Sequence, residues 1–226
     1  MREPCFQPET FSFLKSLAAN NNKDWFNDNK SAYQQSVKKP ADAFRPALAD
    51  ALAKLTGHEV ASKQFRINRD LRFSKDKTPY NTHIRMAFWP KGALFEGKDA
   101  QPPSFFLSIE QNHVRFGAGC MAFSKPVLGA YLRMLEQGMG DEINALYARL
   151  EADGFERSEP DLVNPPRGFP KDHVDAGLAR HKGLATWKTH GNTNLLLEAN
   201  AAERMAEEWQ PTLNFWKILV SLHEKT

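Results

Sequence analysis

The chain has 226 residues, with 30 Lys and Arg against 27 Asp and Glu, so its formal net charge is +3. Hydrophobic residues make up 41% of the chain and charged residues 25%, which are ordinary values for a globular protein. These numbers exclude a disordered chain and a collagen-like repeat, and two widely spaced cysteines exclude a disulfide framework.

Three helices are predicted in the first 56 residues. Apolar residues of the first helix recur at helical spacing: Phe11, Leu14 and Leu17. The run of asparagines at 20–22 ends this helix, and Asp24 is the predicted N-cap of a second helix that ends at Pro40. A third helix follows and ends at Gly57, a residue type that favours helix C-termini. Its apolar stripe consists of Phe44, Leu48, Leu52 and Leu55.

The apolar pattern then changes to the alternation that is typical of strands. The stretch QFRINRDLRFS, residues 64–74, alternates apolar and polar side chains and predicts a strand, although Arg69 falls on its apolar side. A second strand is predicted in HIRMAFWP, residues 83–90. The stretch SFFLSIEQNHVRFGAG, residues 104–119, predicts a hairpin that turns at Gln111 and Asn112.

Helices return in the last part of the chain. Ser124 and Pro126 mark the start of one helix, and another follows it. The Pro-rich residues 160–175 predict an extended loop, and a last helix is predicted from Ala199 to Leu222 with a kink at Pro211. The order of helices, strands and helices predicts an α+β fold, an antiparallel β-sheet covered by N-terminal and C-terminal helices, as a single domain over residues 1–226.

Positive charge is concentrated in residues 63–85. This segment holds seven basic and two acidic residues, a local charge of +5, whereas the rest of the chain carries −2. Guanidinium groups bind carboxylate and phosphate oxygens through a planar fork of donors. The turn SKDKTPY, residues 74–80, adds hydroxyl groups and backbone amides that can form an anion-binding nest. The predicted ligand-binding residues are Arg66, Arg69, Arg72, Ser74, Lys75, Lys77, Tyr80 and Arg85.

The stretch RINRDLRFSKDKTPYNTH, residues 66–83, resembles the signature of the DUF2461 family. Three other stretches resemble the family as well: FLKSLAANNNKDWF, SFFLSIEQNHVRFGAG, and PPRGFPKDH followed by LARHKGLATWK. The resemblance covers roughly residues 6–216 and implies no particular activity, cofactor or catalytic residue. It implies that the signature positions are Arg66, Arg69, Asp70, Arg72, Phe73, Ser74, Lys75, Asp76, Lys77, Thr78, Pro79 and Tyr80.

Candidates for proton transfer are few. Asp70, Tyr80, His173 and Glu110 are the weak catalytic candidates, and His173 lies close in sequence to Asp172, Asp175 and His181 in the Pro-rich loop and just after it. The chain contains no HExxH motif, no cysteine pair with zinc spacing and no GxSxG motif, so we predict no metal site and name no cofactor.

Three functions remain open at this point. The first is binding of a phosphate- or carboxylate-bearing small molecule, with or without catalysis. The second is a nucleic-acid-binding module, and the third is a structural, salt-bridged sheet with no ligand. The N-terminal residues do not form a signal peptide and no stretch approaches the ~18 apolar residues of a membrane span, so we predict a cytoplasmic protein with no membrane partner. The sequence predicts no oligomeric state.

Overall fold

The computed structural model of the chain describes residues 5–72, 74–93 and 100–226. The eight α-helices of these residues are α1 (Pro8–Ala19), α2 (Lys23–Asp28), α3 (Lys30–Tyr33), α4 (Lys39–Thr56), α5 (Lys125–Glu136), α6 (Gly140–Ala152), α7 (Ala201–Glu207) and α8 (Leu213–Glu224). The strands are β1 (Val60–Gln64), β2 (Ile84–Pro90), β3 (Ser104–Ile109), β4 (Val114–Cys120), β5 (Glu156–Arg157) and β6 (Leu184–His190).

The six strands form one antiparallel sheet in the order β1-β2-β3-β4-β6-β5. The α+β prediction is therefore confirmed, as are the second predicted strand and the β3–β4 hairpin. In β4, a Cβ on Gly117 would lie 2.2 Å from the carbonyl oxygen of Thr186 in β6. The absence of a side chain at Gly117 is what permits this close approach of the two strands.

The chain divides into two compact units. The first comprises residues 1–88, 106–116 and 189–208. In this unit α4 packs against β1 and α7, and the buried rings of Phe6 and Phe44 lie 5.0 Å apart. The prediction of a single domain stays a prediction.

The second unit comprises residues 89–105, 117–188 and 209–226. Its core holds the rings of Phe105 and Trp216, which stack at a centroid distance of 5.1 Å. The indole N–H of the buried Trp209 donates to the carbonyl oxygen of Gly117 at 2.8 Å. Both large indoles thus help to hold this unit together.

Three helix predictions need correction. The N-cap of the second helix is Asn22, whose side chain accepts the N–H of Trp25 at 2.9 Å, and not Asp24. Pro40 does not end a helix, because helical backbone continues from Lys30 to Thr56 through a π-helical turn at Gln34–Lys38, just before Pro40. The last predicted helix is two helices, α7 and α8, separated by a 3₁₀ turn that contains Pro211.

The strand predicted at 64–74 is also wrong, since β1 ends at Gln64. Phe73, which was placed on the apolar side of that strand, lies outside the described residues. The strands β5 and β6 were not predicted. Helix α5 begins after the N-cap Ser124 as expected, and residues 160–175 form neither helix nor strand. None of the helices that the structure describes is both long and apolar enough to cross a membrane.

Candidate functional site

Residues 63–85, of which all but residue 73 are described, run from the end of β1 to the start of β2, and we call this segment the cationic hairpin. The N–H of Phe65 donates to the carbonyl of Arg85 at 2.9 Å, and the N–H of Arg69 donates to the carbonyl of Pro79 at 2.9 Å. A single β-bridge joins Asn68 to Tyr80. The arm that was predicted as a regular strand is therefore paired antiparallel with the residues before β2, but only at intervals.

One arm of the hairpin carries extra residues. Phe65 pairs with Arg85, and Ile67 accepts the N–H of Asn81 at 2.7 Å. On the first arm, one residue separates Phe65 from Ile67. On the second arm, three residues, 82–84, separate Asn81 from Arg85. This excess acts as a β-bulge, and bulges bend a strand and redirect its side chains. The bend falls at residues 82 and 83 and turns His83 toward the end of β3.

Tyr80 anchors the second arm. Its side chain is only 7% exposed, and its ring stacks on that of Phe26 at a centroid distance of 4.0 Å. The side chain of Asn21 clamps its backbone, because the amide nitrogen donates to the Tyr80 carbonyl at 2.9 Å and the amide oxygen accepts the Tyr80 N–H at 3.1 Å. The structure therefore gives Tyr80 a packing role, and its role in ligand binding or proton transfer stays a prediction.

Arg69 holds the tip of the hairpin together. Its guanidinium is 23% exposed and pairs with the carboxylate of Asp76 at 2.5 Å. It also donates to the carbonyl and hydroxyl oxygens of Thr78 and to the hydroxyl of Ser74. Asp76 can pair with Arg69 because the chain reverses direction between Arg69 and Thr78.

Asp76 is fixed from two sides. Its carboxylate accepts the backbone N–H of Thr78 at 2.9 Å as well as the Arg69 guanidinium. These hydrogen bonds, that of the Thr78 N–H first, lower the pKa of Asp76 to about 2. The carboxylate is therefore ionised at every physiological pH.

Arg72 pairs with Asp70. The Nη2 of Arg72 lies 2.6 Å from the carboxylate of Asp70, although the Arg72 side chain is 77% exposed. The hydrogen bonds from Arg72 lower the pKa of Asp70 well below its usual range. Both acidic residues of the hairpin are thus bound to arginines of the hairpin.

Basic side chains of the hairpin outnumber its carboxylates by five. Two of the seven basic side chains, Arg69 and Arg72, pair with the only two acidic ones. The other five are all exposed: Lys63, Arg66, Lys75, Lys77 and Arg85. The ammonium of Lys77 also donates to the carbonyl of Leu71 at 3.1 Å. The predicted charge excess of +5 therefore stands on the surface of a hairpin whose own carboxylates are already used.

His83 and Glu110 form a pair at the base of the hairpin that the sequence did not single out. The Nδ1 of His83 lies 3.7 Å from the carboxylate of Glu110, which also accepts the hydroxyl of Ser108 at 2.9 Å. The Nε2 of His83 is buried and has no hydrogen-bond partner among the described residues. Burial first, and then the charges of Arg85 and Arg69, lower the pKa of His83 against the opposing effect of Glu110. His83 is therefore neutral at pH 7.

His173 belongs to the second unit. Its Nδ1 accepts the backbone N–H of Asp175 at 3.0 Å, and its ring meets that of Phe169 edge-on. Among residues 5–72, 74–93 and 100–226, no three His, Cys, Asp or Glu side chains are grouped so that they could hold a metal ion. The catalytic candidates that lie in the first unit are Asp70, Tyr80 and Glu110, and of these only Glu110 faces a titratable base.

Comparison with known proteins gives one result at the level of the whole chain. A family model described as "Conserved hypothetical protein (DUF2461)" matches residues 9–217. No curated protein matches the chain. The match includes the cationic hairpin, both units and all four catalytic candidates.

Proposed function

The chain belongs to the DUF2461 family, and from that premise we propose that it binds a phosphate- or carboxylate-bearing small molecule on the cationic hairpin. The observation that supports the proposal most is the charge of this segment. Four exposed cations, Arg66, Lys75, Lys77 and Arg85, lie within residues 66–85, and both carboxylates of the segment are held by Arg69 and Arg72. A bound anion would relieve the mutual repulsion of these cations.

The contacts within the hairpin favour a preorganised binding site. Arg69, Asp76 and Thr78 fix the tip through hydrogen bonds, and Tyr80 fixes the second arm against Phe26. A preorganised site loses less conformational entropy when a ligand binds than a mobile loop does. In this proposal Arg69 and Arg72 shape the site, while Arg66, Lys75, Lys77 and Arg85 contact the anion.

A purely structural role accounts for only part of the segment. The pairs of Arg69 with Asp76 and of Arg72 with Asp70 stabilise the tip whether or not a ligand binds. They give no reason for Arg66 and Arg85, which are exposed at the base of the two arms. A test of the proposal should therefore replace these two arginines.

The test is a thermal-shift titration with inorganic phosphate at constant ionic strength. Phosphate stabilises folded proteins in general through its exclusion from their surface, so the difference between variants carries the information. We expect the wild-type melting temperature to rise more than that of the double variant Arg66→Gln/Arg85→Gln. The matched control is Arg133→Gln/Arg167→Gln, which removes two exposed arginines elsewhere and should respond as the wild type does.

Equal shifts in all three proteins would contradict the proposal and leave the structural role. The nucleic-acid alternative gives a third outcome. Single-stranded oligonucleotides would then bind more tightly than phosphate, with an affinity that falls steeply as salt rises. That result would replace the small-molecule ligand by a nucleic acid on the same cations.

A further inference from the structure

The second unit contains a cavity of about 290 Å³ that the cationic hairpin does not touch. It lies between α6, the segment after β5 and the turn before β6, and we call it the α6 pocket. Its polar lining consists of Asn144, Arg157, Ser158, Asp175, His181 and the exposed Glu159. This volume is close to the lower limit of small-molecule sites, and a few converging polar groups in a concave site are typical of ligand recognition.

The carboxylate of Asp175 is buried in the wall of the pocket without a cationic side chain against it. Asp175 is 4% exposed, and its carboxyl group packs on Gly140, the first residue of α6. His173 comes within 3.9 Å, but its Nδ1 already accepts the Asp175 backbone N–H and so carries no proton to donate. The positive end of α6 offsets part of the charge. A buried carboxylate without a full counter-ion is costly, and a bound cation would remove that cost.

Arg157 offers the opposite charge in a fixed orientation. Its guanidinium lies 4.1 Å from the centroid of the Tyr147 ring and donates to Glu151 at 3.3 Å and to Asn144 at 3.2 Å. These contacts use Nε and Nη1, and a guanidinium carries five N–H donors. The remaining donors can bind a carboxylate, for which the planar fork of arginine is well suited.

His181 completes the polar wall. It is 4% exposed, and its Nδ1 is buried without a hydrogen-bond partner among the described residues. Burial lowers its pKa, and so do the charges of Arg157 and Arg180, whereas Asp161 and Glu159 act in the opposite direction. The imidazole is thus neutral at pH 7 and adds a hydrogen-bonding group but no charge.

We propose that the α6 pocket binds a small zwitterion, an amino-acid-like molecule whose ammonium group pairs with Asp175 and whose carboxylate pairs with Arg157. The pocket presents one buried anion and one oriented cation in a single small cavity. A simple carboxylate or a simple amine would satisfy only one of them. The proposal concerns the second unit alone and does not depend on anion binding by the hairpin.

Calorimetric titration of the full chain tests the proposal with glycine, alanine and 4-aminobutyrate as probes. Acetate and ethylamine serve as matched probes that carry one charge each. We expect at least one zwitterion to bind and each single-charge probe to bind at least about tenfold more weakly. Absence of binding by all three zwitterions, or equal binding of acetate or ethylamine, would overturn the proposal on the unaltered protein.

Variants locate the site. Asp175→Asn and Arg157→Lys should each weaken the zwitterion at least about tenfold, whereas Asp172→Asn, which changes an exposed carboxylate of the same loop, should not. Unchanged affinity in a folded Asp175→Asn protein would contradict the assignment. If Asp175→Asn does not fold, Arg157→Lys decides in the same way. The Arg66→Gln/Arg85→Gln protein should bind the zwitterion normally, so the two proposals fail separately.

Discussion

The cationic hairpin and the α6 pocket handle charge in opposite ways. In the hairpin, Arg69 and Arg72 find carboxylates within seven residues of themselves, and the surplus cations face solvent. In the pocket, Arg157 and Asp175 lie 18 residues apart in the chain, and the carboxylate is buried. Surplus charge at a surface costs little until a partner arrives, whereas a buried charge costs stability all the time. Substitution of the surplus hairpin cations should therefore change ligand binding more than stability, whereas substitutions around Asp175 should change stability as well.

The largest expected effect on stability comes from a substitution that disrupts the packing around Asp175. A Cβ at Gly140 would lie 1.9 Å from the Asp175 carboxylate, so Gly140→Ala must displace that side chain. We expect a loss of about 2 kcal/mol in the free energy of unfolding, measured by urea denaturation. The control Gly129→Ala lies inside α5 with only the flexible Arg133 nearby, and it should stabilise the protein by about 0.5–1 kcal/mol. If Gly129→Ala were destabilised as much, the loss in Gly140→Ala would not be due to displacement of the Asp175 side chain.

A smaller difference in stability is expected between variants of the two paired arginines of the hairpin, Arg69 and Arg72. Arg69→Ala leaves Asp76, Thr78 and Ser74 without a shared donor, and we expect a loss of about 1–2 kcal/mol in the free energy of unfolding. Arg72→Ala removes a pair at the solvent-exposed surface, so its midpoint in urea should stay close to that of the wild type. Equal losses in the two variants would show that the tip is not organised around Arg69.

The stability of the hairpin should depend on acid through Asp76. The folded pKa of about 2 lies below the usual value near 3.9, so the ionised form contributes stability above about pH 4. That contribution is lost as the pH falls through about 2. We therefore expect Asp76→Asn to be less stable than the wild type at pH 6 and equal to it near pH 2. A stability difference that does not change with pH would contradict this role of the carboxylate.

The smallest expected effect is electrostatic and concerns His83. Burial and the charges of Arg85 and Arg69 lower its pKa, so NMR titration should place it below the ordinary 6.5. The contribution of neutral His83 to stability is present above pH 6.5 and is lost as the pH falls through the lower folded value. Arg85→Gln should raise the pKa of His83, and Arg167→Gln should leave it unchanged. No change in the Arg85→Gln protein would show that the hairpin cations do not act on this base.

Periodicity in the sequence predicted most of the regular elements. It failed at residues 65–72, where alternation suggested a strand; there the side chain of Asp70 accepts the N–H of Arg72, two residues further on. Such local bonds compete with a strand ladder. It also missed β6, because Leu184, Ala185 and Thr186 are all buried and show no alternation.

The two candidate sites differ in how much of them a sequence can reveal. Charge counting located the hairpin, since its cations are neighbours along the chain. It did not identify Asp76 as the partner of Arg69, because that pairing depends on where the chain reverses direction. It also did not identify His83 as the neighbour of Glu110, because the orientation of the His83 side chain depends on the bulge. Of the residues that line the α6 pocket, the sequence pointed only to Asp175 and His181, because concavity is a property of the folded unit.

Two-dimensional NMR of arginine side chains tests the central claim most directly. Inorganic phosphate is titrated at constant ionic strength while the Nε–H signals of individual arginines are followed. Anion binding on the cationic hairpin predicts saturable shifts for Arg66 and Arg85, with Arg133 and Arg167 unmoved. Shifts of equal size at all four arginines, or none at Arg66 and Arg85, would contradict it.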